Sequence, residues 1–195
     1  MAGSNAAWIA VGMEAEVIVV DKNLDRLRFI DQIHKGRITT LMSDRLTLEQ
    51  RVREADVVIG SVLVPGARAP KLITEEMIRS MRTGAVAIDI AIDQGGCMET
   101  SHMTTHSDPT YVVDGVVHYC VGNMPGAVPN TSTYALTNVT LPYALAIASH
   151  GVEVAVRLDP ALALGVNTWD GEITNVGVAE ATGTIFRPLA SLLTG

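Results

Sequence analysis

Two aspartates that follow apolar runs carry the chemistry most readable in this chain. Asp21 ends EVIVVD (Glu16 to Asp21), and Asp93 stands in DIAIDQGGCMETS (Asp89 to Ser101). A carboxylate at the carboxyl end of a buried strand can accept hydrogen bonds from ribose hydroxyls or orient an acid/base group. In a dinucleotide-binding fold the first strand runs into G-x-G-x-x-G, whose amides and following helix hold a pyrophosphate, and an acidic residue about 20 positions on binds the ribose. Asp21 fits that last role. It could equally cap the turn ahead of Asn23, and Asp93 followed by Gln94, Gly95 and Gly96 could be no more than a tight turn.

Counting back from Asp21, Ser4 to Gly12 reads as the first helix and Gly3 occupies the third glycine position. The two earlier glycines and the strand before them are not in the sequence, so Met1 falls inside the motif and the chain reads as a fragment. In the strand order 3-2-1-4-5-6 the first strand is central. Without it, Glu16 to Asp21 and Asp56 to Gly60 must pair directly, recruit another chain or stay as open edges. Marginal stability is the expected consequence.

Other reactive side chains give weaker signals. His102, His106 and His118 match no metal-ligand spacing and read as surface or loop residues, so no metal is expected. Cys97 and Cys120 lack C-x-x-C spacing and read as buried thiols.

These groups are positioned by an alternation of strand and helix. Glu16 to Asp21, Asp56 to Gly60 and Ala85 to Ile90 are short apolar runs suited to a parallel sheet covered on both faces. Arg37 to Leu41, Tyr111 to Val113 and His118 to Val121 are weaker strand candidates. Helical spacing predicts helices over Leu24 to Lys35, Leu48 to Ala55 and Thr74 to Met81, the last capped by Thr74 ahead of Glu75 and Glu76. The fold class predicted is α/β: a Rossmann-like, doubly wound parallel sheet missing its first strand, followed by C-terminal helices.

After Pro129 the character changes. Asn130 or Thr131 is placed to cap a helix running to His150 and kinked at Pro142. Asp159 to Gly165 and Thr174 to Thr182 read as further helices around a loop at Asn167 to Gly171. The division predicted is 1–128 for nucleotide binding and 129–195 for the helices, with Leu162, Leu164, Ile185 and Leu189 exposed or packed on another copy.

Three segments are more distinctive than the fold: IGSVLVPGARAPKLIT (Ile59 to Thr74), DIAIDQGGCMETS, and VGNMPGAVPNTSTYALTN (Val121 to Asn138). Together they closely resemble the alanine dehydrogenase family, over nearly the whole chain from SNAAWIA onward. The related transhydrogenases have a similar domain. The resemblance implies NAD-dependent oxidative deamination of L-alanine to pyruvate and ammonia. It makes Asp21 the adenosine ribose ligand, puts Arg26 near the adenine side, lines the adenine pocket with Ser43, and lays Val62 and Leu72 along the cofactor cleft. It sets Asp93 beside the nicotinamide, working in proton transfer with a histidine of the substrate domain. Ile90 and Met124 flank the ring, and Asn123 joins that cluster. It also implies hexamers, a substrate domain built largely from sequence upstream of Met1, and little turnover by this chain alone. Lys22 and Arg26 leave room for NADP, with NAD favoured.

Composition narrows the partners. Twenty-one acidic against fourteen basic residues give a net charge of −7 with no basic run, which disfavours nucleic acid. The apolar runs are too short to span a bilayer, so a cytoplasmic protein without membrane contact is expected. Two rival readings stand beside the dehydrogenase: a non-catalytic nucleotide-binding module, and a structural or regulatory protein that keeps the fold without the cofactor.

Overall fold

The computed structural model describes residues 2–64 and 66–193. Its contacts divide the chain into two units, Met1–Leu63 with Ala69–Gly122, and Val64–Arg68 with Asn123–Gly195.

In the first unit the β-branched run VIVVD forms a strand, Val17–Asp21 (β1), paired in parallel with Ile38–Met42 (β2) from Val17 opposite Ile38 to Asp21 opposite Met42. Ala2–Gly12 (α1) buries Ala7 and Val11, four apart on one helical face. Leu24–His34 (α2) buries Leu27 and Ile30, starts where Asn23 accepts the Arg26 N–H, and ends at Lys35 in the left-handed region. Ala7, Val11, Ile30 and Ile38 form a small core with Val17 and Val19 against it.

A second, four-stranded sheet has the order β3-β4-β6-β5: Val57–Gly60 (β3), Val86–Asp89 (β4), Thr110–Val113 (β5) and Val116–Tyr119 (β6). In that order β3–β4 and β4–β6 are parallel pairs, and β5 lies antiparallel to β6. This reversal is a hairpin with Asp114 and Gly115 as its loop. Both have positive φ, 50° and 81°, the conformation of the two-residue turn that Asp-Gly favours. Arg45–Glu54 (α3) and Glu75–Arg79 (α4) flank β3 in sequence, capped by Asp44 and Thr74. Ile73, Met77, Ile78, Ala87, Met98 and Val116 lead its core.

The architecture is therefore α/β with a mainly parallel sheet arrangement, but β1–β2 and β3–β6 are separate ladders. Among the described residues β1 pairs only with β2 and β3 only with β4, so the direct β1–β3 pairing left open by the sequence does not form. Beside α1 a groove of about 450 Å³ is lined by Asn5, Ala6, Ile9, Ala10, Met13 and Ile59. Ile9 and Met13 are 66% and 78% exposed.

Several sequence expectations shift. Ile90 leaves the predicted strand for a single turn of 3-10 helix, Ile90–Gln94, because the Asp89 side chain caps it. The strand expected at His118 to Val121 lies at Val116–Tyr119, which makes His118 a buried strand residue and not a surface or loop one. Both cysteines are buried and free, as expected.

In the second unit Pro129–His150 (α5) starts with Pro129 in its first turn and no side-chain cap, so neither Asn130 nor Thr131 is the cap. It remains one helix through Pro142 and buries none of its residues. Gly151, at φ 77°, breaks the helix before Val152–Leu158 (α6), which the sequence pattern had not marked. Pro160–Leu164 (α7) is capped by Asp159. The expected loop at Asn167 to Gly171 contains a second Asp-Gly turn, Asp170 at φ 48° and Gly171 at 81°, joining Thr168–Trp169 (β7) to Glu172–Ile173 (β8). Val176–Thr182 (α8) is capped by Asn175, and Leu189–Leu192 (α9) follows. Leu164 and Ile185 are 81% and 76% exposed, whereas Leu162 and Leu189 are half-buried. Among the described residues no helix is long and apolar enough to cross a membrane.

Candidate functional site

Ligands of open α/β folds bind beyond the carboxyl ends of the parallel strands, so the residues there define the candidate site. At the end of β1, Asp21 Oδ1 accepts the Asn23 N–H at 2.8 Å. Its Oδ2 lies 3.8 Å from Arg26 Nη1, and its carbonyl accepts the Ser43 N–H at 3.0 Å. Asp21, Arg26 and Ser43 are thus brought together. The turn-capping reading of Asp21 is realised and compatible with a ligand role, since a carboxylate has several acceptor positions.

Gly3, in the first turn of α1, lies against Ser61, the residue that follows β3. A Cβ there would lie 2.4 Å from Ser61 Oγ and 3.4 Å from Ser61 Cβ, so only glycine gives this approach without moving Ser61. Close helix–strand packing is the role of the third glycine in the dinucleotide pattern.

Val62 and Leu72 meet around Cys97. The Leu72 N–H donates to the Cys97 carbonyl at 2.8 Å, and a Val62 backbone hydrogen bond reaches the Cys97 thiol. Burial foremost, then the charge and hydrogen bond of Asp89, pushes that thiol up to about 12. It is a packing residue and not a nucleophile.

Ile90 and Asp93 lie on the turn after β4. Ile90 is half-buried and Asp93 exposed. Asp93 Oδ1 is 3.6 Å from where a Cβ of Gly122 would stand. Asn123 and Met124 belong to the second unit. There Asn123 takes φ 53° and its carbonyl accepts the Gly126 N–H at 2.8 Å, while Met124 starts the 3-10 turn Met124–Ala127.

The largest omission in the sequence reading is Asp89, whose carboxylate is fully buried at the end of β4. Its Oδ1 accepts the Ala91 N–H at 3.0 Å; its Oδ2 accepts the Cys97 N–H at 2.8 Å, the Met98 N–H at 3.2 Å and the Ser101 hydroxyl at 2.7 Å. The available signal was an acidic residue closing a buried run, since a buried carboxylate must be satisfied by donors nearby. Lys71 was also missed. Its Nζ donates to the carbonyls of Gly95 at 2.7 Å and Met98 at 2.9 Å.

Tyr111 of β5 and His118 of β6 take part in a histidine–tyrosine stack with His102. Tyr111 stacks on His102 at 3.7 Å and on His118 at 4.9 Å between ring centroids. His118 Nδ1 faces the Val116 carbonyl at 3.0 Å and Nε2 faces Thr100 Oγ1 at 2.8 Å, an arrangement of the neutral ring with Nδ1–H donating. Burial lowers this imidazole and raises the Tyr111 phenol. Among the described residues no cluster of His, Cys, Asp and Glu could hold a metal ion.

Residues 1–176 match the family described as Alanine dehydrogenase/PNT, C-terminal domain. This chain belongs to that family. It is 55% identical over 191 residues to the alanine dehydrogenase of Halomonas elongata, covering 98% of this chain and 52% of the relative. Against the alanine dehydrogenase of Staphylococcus haemolyticus it is 56% identical over 193 residues, with the same coverage of 98% and 52%. A solved L-alanine dehydrogenase superposes with a TM-score of 0.80 at 46% identity, over 93% of this chain and 50% of that one. A transhydrogenase from Sinorhizobium meliloti reaches 0.56 at 26% identity, over 73% and 43%. The chain spans about half the length of the curated alanine dehydrogenases it matches.

The family is pyridine nucleotide-dependent, and the residues present fit such a group at two points. Asp21 offers a half-buried carboxylate at a strand end, and Gln94, next to Asp93, has a buried Oε1 without a hydrogen-bond partner among the described residues. The first suits a diol and the second a donor such as a carboxamide N–H.

Proposed function

We propose that this chain is the NAD-binding part, with the C-terminal helices of the substrate domain, of an L-alanine dehydrogenase. Its complete reaction converts L-alanine, NAD⁺ and water to pyruvate, ammonium, NADH and a proton. When bound, NAD would supply the acceptor for the hydride leaving the substrate α-carbon. Asp21 holds the adenosine ribose, Arg26 and Ser43 bound the adenine side, and Gly3 sets the approach of α1. Val62 and Leu72 line the cleft and Ile90 flanks the nicotinamide, while the roles of Met124 and Asn123 toward the ring are those the family resemblance implies.

Asp93 is the residue assigned to the chemical step. Deamination moves protons as well as a hydride, and an exposed carboxylate beyond a strand end is placed to orient an acid/base partner. That partner and the groups gripping the alanine carboxylate belong to the part of the longer relatives that this chain does not span. Turnover of alanine requires those groups, whereas NAD binding draws on residues of this chain. Residues 1–128 are the cofactor domain and 129–195 the helical part of the substrate domain. The working enzyme is a cytoplasmic homo-oligomer.

The observation that supports the cofactor reading most is Asp21, oriented by the Asn23 N–H at the end of a parallel strand and beside Ser43. The catalytic reading is tested in a chain completed to the length of its relatives. There Asp93→Ala lowers turnover by about a hundredfold or more, the scale of acid–base catalysis, with little change in NADH affinity. Unchanged turnover removes Asp93 from the mechanism.

A further inference from the structure

The turn that carries Asp93 is held through its peptide groups by two charged side chains outside the residues assigned to cofactor and substrate. Asp89 takes N–H groups and Lys71 takes carbonyls. The buried Asp89 carboxylate caps the start of Ile90–Gln94 through Ala91, then reaches across to the amides of Cys97 and Met98. The Lys71 ammonium binds the carbonyls of Gly95 and Met98. Between these anchors the backbone turns through Gly95 at φ 92° and Gly96 at φ 74°, a conformation that leaves the segment little stiffness of its own. A Cβ on Gly96 would stand 2.8 Å from Asp89 Oδ2, so the carboxylate sits directly against the turn. Parallel backbone contacts add to the hold, from the Ala69 N–H to the Gln94 carbonyl at 2.9 Å and from the Leu72 N–H to the Cys97 carbonyl at 2.8 Å.

We propose that Asp89 and Lys71 are positioning residues for Asp93: one binds the amides and the other the carbonyls of the Gly95–Met98 turn, and together they fix where the Asp93 carboxylate stands at the cofactor cleft. This rests on the reading of Asp93 as the group beside the nicotinamide. Charge-assisted hydrogen bonds to both polarities of one short backbone segment resist its displacement in either direction, which neutral contacts at the same distances would do less well. Lys71 is exposed, so its two bonds contribute little to the global core and their loss is read mainly at the turn.

The test uses the 195-residue chain, isotopically labelled, with Lys71→Met, Lys71→Arg and Asp89→Asn. Three quantities are measured: amide exchange of Gly95 to Met98, the carboxyl ¹³C resonance of Asp93 at one fixed pH, and the urea midpoint. Lys71→Met is expected to speed exchange at the turn by about tenfold or more, the scale of a lost charge-assisted hydrogen bond, and to move the Asp93 resonance. The urea midpoint stays close to that of the unmodified chain. Lys71→Arg, which keeps a cationic donor, restores both local readouts. Asp89→Asn gives the same local changes where it folds, and Lys71→Met decides the matter where it does not. An Asp93 resonance and turn exchange unmoved by Lys71→Met overturn the proposal, as does an arginine variant that behaves like the methionine one. NADH titration of the unmodified chain tests the cofactor reading separately, because neither local readout depends on bound NADH.

Discussion

Asp89 and Cys97 are joined twice across eight residues of chain: Asp89 Oδ2 accepts the Cys97 N–H at 2.8 Å, and Oδ1 lies 3.5 Å from the Cys97 thiol. Burial of the thiol is the main cause of its rise to about 12, and the charge and hydrogen bond of the adjacent Asp89 carboxylate add to it. Iodoacetamide should therefore label Cys97 only as fast as the native chain opens. Mass spectrometry of the alkylated peptide, with and without urea, measures this. Rapid labelling of the folded chain at neutral pH would show the thiol to be accessible or ionised.

Gly60 ends β3 against the same thiol. A Cβ at Gly60 would lie 2.3 Å from Cys97 Sγ and 3.3 Å from Met98 Cε, both in the core. Gly60→Ala is expected to lower stability by about 1–3 kcal/mol, the usual cost of overpacking. Urea unfolding checks it, and adding Cys97→Ala should recover part of the loss.

His118 gives a pH dependence. Burial is the main cause of its lowered imidazole, His102 adds to it, and the Val116 carbonyl acts the other way. Around the ordinary value of about 6.5 and below, the unfolded chain binds a proton that the native chain does not, so stability rises with pH through that window. The contribution is complete above the unfolded pKa and is lost as pH falls towards the lowered native one. Urea midpoints at about pH 7.5 and about pH 5.5 should differ less in His118→Gln than in the unmodified chain. An identical difference in both would remove His118 as the source.

The long helix α5 predicts association. Tyr134, Leu136, Val139, Leu141 and Leu145 are all exposed on it, more apolar surface than an isolated chain leaves uncovered. Light scattering should give a discrete mass above the 20.7 kDa of one chain, lowered by Leu141→Glu with Leu145→Glu. A monomer would show that α5 tolerates exposure, and a smear of sizes would argue against a defined oligomer.

What was legible in the sequence followed local rules. Thr74 ahead of two glutamates capped a helix as expected, and the VIVVD run formed its strand with Asp21 at the end. The two Asp-Gly hairpins were legible but unread: Asp114–Gly115 and Asp170–Gly171 carry the strongest short-range turn signal available. Asp89 and Lys71 were hidden for a different reason. Most of their partners are backbone groups, up to 27 residues away, and such pairings leave no periodic trace in side-chain pattern. His118 was misplaced because alternation in VVHY is too short to distinguish a buried imidazole from a loop one.

The most direct test of the central claim is NADH fluorescence titration of the 195-residue chain with and without Asp21→Ala. Saturable binding, weakened about tenfold to a hundredfold by loss of the Asp21 carboxylate, is the expected result. No saturable binding would contradict the chain as an NAD-binding unit in its own right, and binding that Asp21→Ala leaves unchanged would contradict Asp21 as the ribose ligand.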